Sequence, residues 1–157
     1  MAENKTNVMG ILERNQVHYT AHQYPHAKGA VSGEEVARLL DMDAAKIFKT
    51  LVTQAAQGFY VFIIPVSAEL DLKKAARAAG VKSIAMLPQA KLLPLTGYVH
   101  GGCSPLGMKK ALPTFLDAAA AAQETILVSA GKIGHQIEVA PNDLLRLTGG
   151  ALADLTR

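Results

Sequence analysis

The sequence predicts an α+β domain with a curved, mixed but mostly antiparallel sheet, or partial barrel, flanked by helices. Three observations lead to this fold class. The chain has 157 residues, enough for one domain, whereas two domains would each have a small core. Strand-like runs follow one another and are joined by short turns, which favours antiparallel pairing. Helical segments are interspersed among these strands rather than alternating strictly with them.

The first half of the chain predicts two helices, a strand and a hairpin. Ser32-Gly33-Glu34-Glu35 has the pattern of a capping box, in which Ser32 accepts from the Glu35 amide and Glu35 reaches back. Ala55-Ala56-Gln57-Gly58 joins two β-rich runs, and Pro65 indicates a strand end or a sheet edge. The expected elements are a helix over 8–16 capped by Thr6, a half-buried strand over 17–22, a loop over 24–31, a helix around 36–40, and strands over 47–53 and 59–66.

The second half predicts shorter elements. Pro88 is expected to open a short helix that Pro94 closes, and Asn142 to cap a last helix that ends at Gly149-Gly150. The other expected elements are a helix over 72–79 between Asp71 and Gly80, a strand over 82–86, a glycine-rich loop over 99–107, a strand over 114–116, a helical run over 118–122, and a hairpin of 125–129 and 135–139 around Gly131 and Gly134.

The composition excludes several classes of protein. Apolar residues make up 50% and charged residues 18%, which argues against a disordered chain. The net charge of +3 does not by itself predict a nucleic-acid partner, because phosphate binding needs a local cluster of cations. Aromatic residues are only 5% and tryptophan is absent, which disfavours a broad stacking platform for single-stranded nucleic acid.

The cysteine count and the apolar runs bear on the compartment. Cys103 is the single cysteine, so an internal disulfide and a cysteine-rich zinc site are excluded. Residues 1–7 lack the apolar core of a signal peptide, and the run 59–66 is shorter than the ~20 residues that span a bilayer. The sequence therefore predicts a soluble, cytoplasmic protein with no membrane association.

Lys49 is the most informative single residue. On a strand it shares a face with Ile47 and Leu51, two apolar neighbours. Such a lysine either lies at a sheet edge and extends its ammonium into solvent, or enters a cleft where it meets a phosphate, a carboxylate or a polarised carbonyl. The residues alone favour the edge.

The other candidates have simple structural explanations. His18 and His22 would lie ~13 Å apart on a strand, too far to share a metal ion. Cys103 can act as a nucleophile only if the pKa of its thiol is lowered. The favoured interpretation is that Cys103 is a small, buried apolar residue. Two basic stretches form either a solvated face or a phosphate-contacting patch. Their members are Lys73, Lys74, Arg77 and Lys82 in the first, and Lys109 and Lys110 in the second.

The loop Gly101-Gly102-Cys103-Ser104-Pro105-Leu106-Gly107 superficially has the spacing of a phosphate loop. Met108 and Lys109 follow it, where such a loop has lysine and then serine or threonine. Nucleotide hydrolysis is therefore rejected. Adjacent glycines still allow backbone amides to approach a ligand closely. The alternative explanation for these glycines is a loop conformation that needs positive φ.

Several segments together resemble the YbaK/EbsC family, which is related to the editing domain inserted in bacterial prolyl-tRNA synthetases. They occur in family order and cover nearly the whole chain. The combination of the lysine strand with the Gly-Gly-Cys-Ser-Pro-Leu-Gly loop is specific. The segments are His22-Gln23-Tyr24-Pro25-His26, Gly33-Glu34-Glu35-Val36, Ile47-Phe48-Lys49-Thr50-Leu51, Leu70-Asp71-Leu72-Lys73-Lys74, residues 96–107, and Val128-Ser129-Ala130-Gly131-Lys132.

The resemblance implies that residues 1–157 are one aminoacyl-tRNA deacylase domain with the family's curved mixed sheet. It implies a trans-editing enzyme that clears mischarged Cys-tRNA(Pro), or Cys-tRNA(Cys), at the acceptor end of the tRNA. It implies no metal or organic cofactor, and an association with prolyl-tRNA synthetase. The alternatives are editing of alanyl-tRNA, a non-catalytic module that binds tRNA or the synthetase, and a thiol-dependent hydrolase that uses the cysteine.

The resemblance also implies roles for individual residues. Lys49 matches the essential lysine, and the amides of Gly101 and Gly102 face the substrate carbonyl or terminal ribose. The remaining substrate-binding positions are Tyr24, Ser104 and Ser129. The attacking group is the thiol of the substrate itself, so that the protein contributes positioning and electrostatic stabilisation.

Three positions depart from the family pattern. Ser32 replaces an aromatic residue, Gln136 an acid, and Cys103 an aliphatic residue. The first two alter the shape of the pocket and leave open which amino acid is cleared. Cys103 keeps the thiol-dependent alternative open.

Overall fold

The structure is a computed structural model that describes residues 5–25, 29 and 31–157. The helices are α1 (Asn7–Arg14), α2 (Gly33–Leu40), α3 (Leu72–Ala79), α4 (Leu92–Thr96) and α5 (Pro141–Thr148). The strands are β1 (Thr20–Gln23), β2 (Phe48–Ala55), β3 (Gly58–Pro65), β4 (Ala85–Met86), β5 (Thr114–Asp117), β6 (Ile126–Ser129), β7 (His135–Val139) and β8 (Ala151–Ala153). Short 3₁₀ turns cover Ala44–Lys46, Gln89–Lys91 and Ala118–Ala122.

Parts of two predicted segments lie outside the described residues. They are the first four positions of the segment 1–7, and 26–28 and 30 within the predicted loop 24–31. His26, the last residue of the first family segment, is among them.

The strands form two sheets. The first has the order β1-β7-β6 and is antiparallel throughout. The second has the order β4-β2-β3-β5-β8, in which β2 pairs antiparallel with β3 and β4. Its pairs β3–β5 and β5–β8 are parallel, which makes this sheet mixed. The α+β class, the mostly antiparallel pairing and both hairpins are confirmed, whereas β8 was not predicted.

The two sheets meet beside the beginning of β2. Ile47 forms an isolated parallel bridge with Leu127 of β6, while its carbonyl accepts a hydrogen bond from the Val66 amide at 2.9 Å. The second edge of β2 is therefore shared by β6 at one end and by β4 at the other. The described strands do not close into a barrel.

Side-chain caps begin three of the helices, as predicted. The Thr6 hydroxyl accepts from the Met9 amide in α1, and the Ser32 hydroxyl accepts from the Glu35 amide in α2. Asp71 accepts from two amides at the start of α3. The return half of the predicted capping box is wrong, because the Glu35 carboxylate pairs with Arg38 one turn later.

Two predictions based on helix-terminal residues are wrong. Pro94 lies inside the first turn of α4, where the missing amide is not needed, and this helix ends at Gly97 with φ 87°. Pro141 occupies the first turn of α5 and Ala140 is its N-cap, so Asn142 is a helical residue rather than the cap. Gly149 ends α5 in the left-handed conformation, as expected.

The strand predicted over 17–22 begins late. Gln16 has a positive φ of 58°, and the Val17 amide donates to the Leu12 carbonyl, so the chain is still turning out of α1. Regular pairing begins only at Thr20. The predicted alternation of burial holds over residues 17–20 but fails after them, since Ala21 is exposed and His22 is half-buried.

The alternation of β2 divides the buried residues between the two faces of its sheet. Phe48 and Val52 enter the largest apolar cluster, which also holds the inner faces of β6 and β7. Leu51 packs with Phe62 beneath α3. Lys49 therefore lies on the α3 face, next to a third cluster that α2 covers.

Candidate functional site

A cavity of about 250 Å³ opens between α2, the first half of β2, the loop after α4 and the β6–β7 hairpin. Its lining includes four of the predicted site residues, which are Tyr24, Lys49, Gly101 and Ser129. It also includes Ser32, His100, Cys103 and Gln136. Residues more than a hundred positions apart in the sequence thus surround one space.

Lys49 lines this cavity from the second position of β2. Its partner across β3 is Ile64, and its side chain is only partly exposed. It forms no ion pair with any residue that the structure describes. On the side away from β3, β2 pairs with β4 only at Thr53 and Gln54, so Lys49 lies on a locally open strand edge and also lines the cavity.

The glycine-rich loop is held tightly against the β6–β7 hairpin. Gly101 has φ 89°, which favours glycine, and the Gly102 amide donates to the Val99 carbonyl at 3.0 Å. A Cβ atom on Gly102 would lie 3.1 Å from the Ile133 amide nitrogen, so a side chain there would push the loop away from the hairpin. Gly101, but not Gly102, lines the cavity.

Ser104 does not line the cavity. Its side chain is fully buried, and its hydroxyl accepts a hydrogen bond from the Leu106 amide at 3.3 Å. Such a bond stabilises a turn within the loop. The structure thus places Ser104 where it shapes the loop that carries Gly101.

Tyr98 is a supporting residue that the sequence analysis did not single out. Its hydroxyl donates to the Leu106 carbonyl at 2.5 Å, and its ring lies against Gly131 of the β6–β7 turn. Burial raises the pKa of Tyr98 to about 12, so this hydroxyl remains a donor at neutral pH. Tyr98 thereby holds the loop against the hairpin. Its position directly before the Val-His-Gly-Gly segment is the sequence feature from which this role could have been predicted.

Two buried oxygen atoms at the cavity have no hydrogen-bond partner among the described residues. They are Thr50 Oγ1 and Gln136 Oε1, and Gln136 is only 6% exposed. Both residues line the cavity. An unpaired buried acceptor costs about 1–3 kcal/mol, so a water or a ligand that donates to either oxygen would stabilise the protein.

Cys103 lines the cavity but is buried, and burial raises the pKa of its thiol to about 12. A thiol with a raised pKa stays protonated at neutral pH and is a poor nucleophile. This environment supports the predicted role of a small apolar residue and disfavours the thiol-dependent alternative.

For the aminoacyl ester release that the family resemblance implies, the variant Cys103→Ala is therefore expected to keep kcat/KM within about a factor of three of the wild-type value. The measurement is single-turnover release of cysteine from cysteinyl-tRNA(Pro), with urea unfolding of the same sample to show that it is folded. A loss of more than about a hundredfold in a folded variant would restore the thiol-dependent mechanism.

A charged cluster extends the same sheet face away from the cavity. Glu138, two residues after Gln136 on β7, accepts from Thr125 at 2.5 Å, from His22 at 2.8 Å and from Lys46 at 3.2 Å. The Thr125 hydroxyl, His22 and Lys46 together lower the pKa of Glu138 to about 2. This cluster ties β1 and β7 to the segment that leads into β2, and so positions the strand that carries the cavity lysine.

The variant Glu138→Gln is expected to lose about 2 kcal/mol of unfolding free energy at pH 7. The folded-state pKa lies below the usual value of 4.5, so the contribution is complete above about pH 4.5 and disappears as the pH falls towards 2. Urea unfolding at pH 7 and pH 3 should show the difference from wild type shrinking at low pH. Exposed Glu124 offers the control Glu124→Gln, expected to change stability by less than about 0.5 kcal/mol.

The arrangement of metal-ligating side chains and the length of the apolar helices also bear on what this chain can do. Among residues 5–25, 29 and 31–157, no group of three or more histidine, cysteine, aspartate or glutamate side chains is arranged to hold a metal ion. Within the same residues, no helix has both the length and the apolar character needed to cross a membrane.

Comparison with known proteins places this chain in a family. The model of the family described as the aminoacyl-tRNA editing domain matches residues 27–147. A protein of Enterococcus faecalis (strain ATCC 700802 / V583), which carries the name Cys-tRNA(Pro)/Cys-tRNA(Cys) deacylase EbsC, is 45% identical over 155 residues. That alignment covers 98% of this chain and 94% of the Enterococcus protein.

Solved structures give the same result for the fold. A crystal structure described as a trans-editing enzyme for prolyl-tRNA synthetase has a TM-score of 0.85 at 30% identity, covering 96% of this chain and 94% of that one. The hypothetical protein APE2540 has a TM-score of 0.86 at 22% identity, covering 96% and 99%, and shows the fold alone. The resemblance to the YbaK/EbsC family is confirmed, and the chain belongs to the family of aminoacyl-tRNA editing domains.

Proposed function

We propose that this protein is a trans-editing deacylase that cleaves the ester of mischarged Cys-tRNA(Pro) or Cys-tRNA(Cys), with the whole chain, 1–157, acting as one editing domain. The observation that carries the proposal is that Lys49 and Gly101 line the same cavity, in a chain 45% identical to a protein named for this activity. A cation and a glycine-rich loop are suited to a polar ester and its neighbouring ribose.

The residues support catalysis by positioning. Cys103 stays protonated, and Lys49 supplies a positive charge at the cavity wall. In the proposed step, the thiol sulfur of the substrate attacks its own ester carbonyl as the thiol proton leaves. The new carbon–sulfur bond closes a ring, the bond to the ribose oxygen breaks, and that oxygen takes up a proton. Holding an internal nucleophile in place can contribute about 7–11 kcal/mol to lowering such a barrier.

Lys49 and Gly101 have separate parts in this proposal. The Lys49 ammonium holds the terminal adenosine and the ester in the reactive pose. The amide side of the loop at Gly101 faces the carbonyl oxygen, on which negative charge develops. Tyr24 and Ser129 complete the pocket walls, and Gly102 and Ser104 maintain the loop conformation from behind.

The unpaired acceptors provide a place for the amino acid. The α-ammonium group of an aminoacyl ester carries donors that Gln136 Oε1 and Thr50 Oγ1 lack in the free protein. Both oxygens have almost no accessible surface in the free protein, so binding in this proposal turns their side chains toward the ammonium group.

The variant Gln136→Leu is accordingly expected to have an unchanged or higher free energy of unfolding. Leucine has a similar volume to glutamine but no buried acceptor that lacks a donor. The kcat/KM of the variant for cysteinyl-tRNA(Pro) should fall about tenfold or more. Urea unfolding and steady-state deacylation of one preparation measure both. If Gln136 had a purely structural role, Gln136→Leu would instead lower the free energy of unfolding and retain the deacylation rate. The parallel variant Thr50→Val applies the same test to the second oxygen.

The experiment that tests the function is a side-by-side release assay with cysteinyl, alanyl and seryl esters of tRNA(Pro). Acceleration of cysteine release alone supports the proposal. Preferential release of alanine would identify the related alanyl editing activity. Binding of charged tRNA without faster release of any amino acid would identify a non-catalytic module.

The proposal includes a partner and a place of action. An editing domain that reads mainly the acceptor end needs another source of tRNA identity, and prolyl-tRNA synthetase would supply it. Because charged tRNA is used in translation, the proposal includes a cytoplasmic location. Co-sedimentation of the protein with purified prolyl-tRNA synthetase, with and without tRNA(Pro), tests the association.

A further inference from the structure

The positive charge of the chain is concentrated in one segment. Residues 72–116 contain seven of the sixteen lysines and arginines and none of the thirteen acidic residues. The rest of the chain is therefore acidic, although the total is +3. This segment includes Leu92, His100, Gly101 and Cys103 of the cavity lining. A modest net charge thus conceals a strongly basic region next to the site.

Two lysines of this segment adjoin the cavity-lining loop. Lys91 directly precedes Leu92, the first residue of α4 and part of the lining. Lys109 donates its amide to the Thr96 carbonyl at the end of α4, and its side-chain carbons lie about 3.3–3.8 Å from the Cβ position of Gly97. The two lysines therefore lie beside the two ends of α4, immediately before the glycine-rich loop.

A third lysine comes from the other side of the loop. Lys132 lies in the turn between β6 and β7, and its Cα atom is 3.4 Å from the Cβ position of Gly102. Tyr98 connects the two sides, since it follows Gly97 in the chain and its ring contacts Gly131. Lys91 and Lys109, at the two ends of α4, and Lys132, whose backbone lies against Gly102, thus flank the loop that carries Gly101, and we call them the loop lysines.

The loop lysines are exposed and form no ion pair with any residue that the structure describes. Other cations of the described chain do have acidic partners, as Lys46 has Glu138 and Lys74 has Asp154. Charges without an internal partner are available to an anionic ligand at little cost, because no existing pair must be broken.

We propose that the loop lysines form the docking surface for the phosphate backbone of the tRNA acceptor arm, whose aminoacylated end enters the cavity. This inference rests on the proposed function. Flexible lysine side chains contact phosphates as point charges and do not read bases, so the surface would bind any acceptor arm of the right shape. The basic surface that carries Lys73, Arg77 and Lys82 is the competing location, and the loop lysines are favoured by their contacts with the cavity-lining loop.

The test compares two esters on two triple variants. The loop variant is Lys91→Gln, Lys109→Gln and Lys132→Gln, and the comparison variant is Lys73→Gln, Arg77→Gln and Lys82→Gln, which removes three other exposed cations without ion pairs. The substrates are cysteinyl-tRNA(Pro) and 2′(3′)-O-cysteinyl-adenosine, which has the same ester but no phosphate. The measured quantity is the ratio of kcat/KM on the tRNA to kcat/KM on the adenosine ester.

In the loop variant this ratio is expected to fall about ten- to a hundredfold at about 50 mM salt, and the loss should shrink towards about 200 mM. The slope of the logarithm of tRNA affinity against that of salt concentration should decrease by about one for each lysine removed. The comparison variant should leave the ratio within about threefold of wild type.

An unchanged ratio in the loop variant, or an equal fall in the comparison variant, would overturn the proposed docking surface. Either result would leave the proposed function intact, because the wild-type protein would still cleave both esters. Failure of the wild type to accelerate cleavage of either ester would instead refute the proposed function, and with it this inference.

Discussion

Replacing Lys49 with methionine is expected to lower kcat/KM for cysteine release from cysteinyl-tRNA(Pro) by about 10²–10³-fold, the usual cost of losing one electrostatic contact to the reacting group. The fold should survive. Lys49 has no ion pair among the described residues, and methionine keeps most of the aliphatic stem that borders Leu51. Single-turnover deacylation measures the rate, and urea unfolding shows that the variant is folded.

Two further variants make the Lys49 test specific. Lys73→Met removes an exposed lysine from α3 and should retain the wild-type rate on cysteinyl-adenosine. Lys49→Arg keeps the charge but replaces a compact ammonium with a planar, larger group, so only partial rescue is expected. Wild-type deacylation by Lys49→Met would remove this residue from the proposed mechanism.

The second large effect is expected at Gly33, where alanine should destabilise the protein by about 2–4 kcal/mol. A Cβ atom there would lie 2.3 Å from Val66 Cβ, far inside van der Waals contact. Relief requires α2 to move away from Val66, and Gly33, Val36 and Val66 all line the cavity. Urea unfolding should show the loss of stability, and deacylation should fall with it.

Gly10 is the matched control for Gly33. It lies inside α1, and the nearest atom to its Cβ position is the flexible end of Arg14, 3.2 Å away. Gly10→Ala is therefore expected to raise the free energy of unfolding by about 0.5–1 kcal/mol, the usual gain from replacing a helical glycine. Equal effects of the two substitutions would show that close packing of α2 on Val66 is not what requires glycine at position 33.

Local chemistry was predictable where neighbouring residues decide it. Thr6, Ser32 and Asp71 begin their helices as expected, because a side-chain oxygen satisfies amides only two or three positions away. Gly80 and Gly149 end theirs because glycine adopts positive φ without strain. Pro94 and Asn142 were misjudged because the exact register of a helix start decides what each residue does.

The family segments gave the site residues, and four of them line one cavity. Ser104 and Gly102 belong to the same motif yet lie behind it. A sequence motif records that residues occur together but does not distinguish contact with a ligand from support of a loop. The unpaired oxygens of Thr50 and Gln136 could not be predicted at all, since whether an acceptor has a partner depends on the surrounding chain.

The sequence by itself determined the α+β class, three of the helix caps, the hairpins and the lysine strand, because each depends on residues close together in the chain. Only the tertiary structure decided the parallel pairs of β5 and the bridge between Ile47 and Leu127. These contacts join residues 36 to 80 positions apart in the chain, and their stability comes from packing and burial that no local pattern encodes. That same long-range pairing brings Lys49, Gly101 and Ser129 around one cavity and places the basic segment 72–116 beside it.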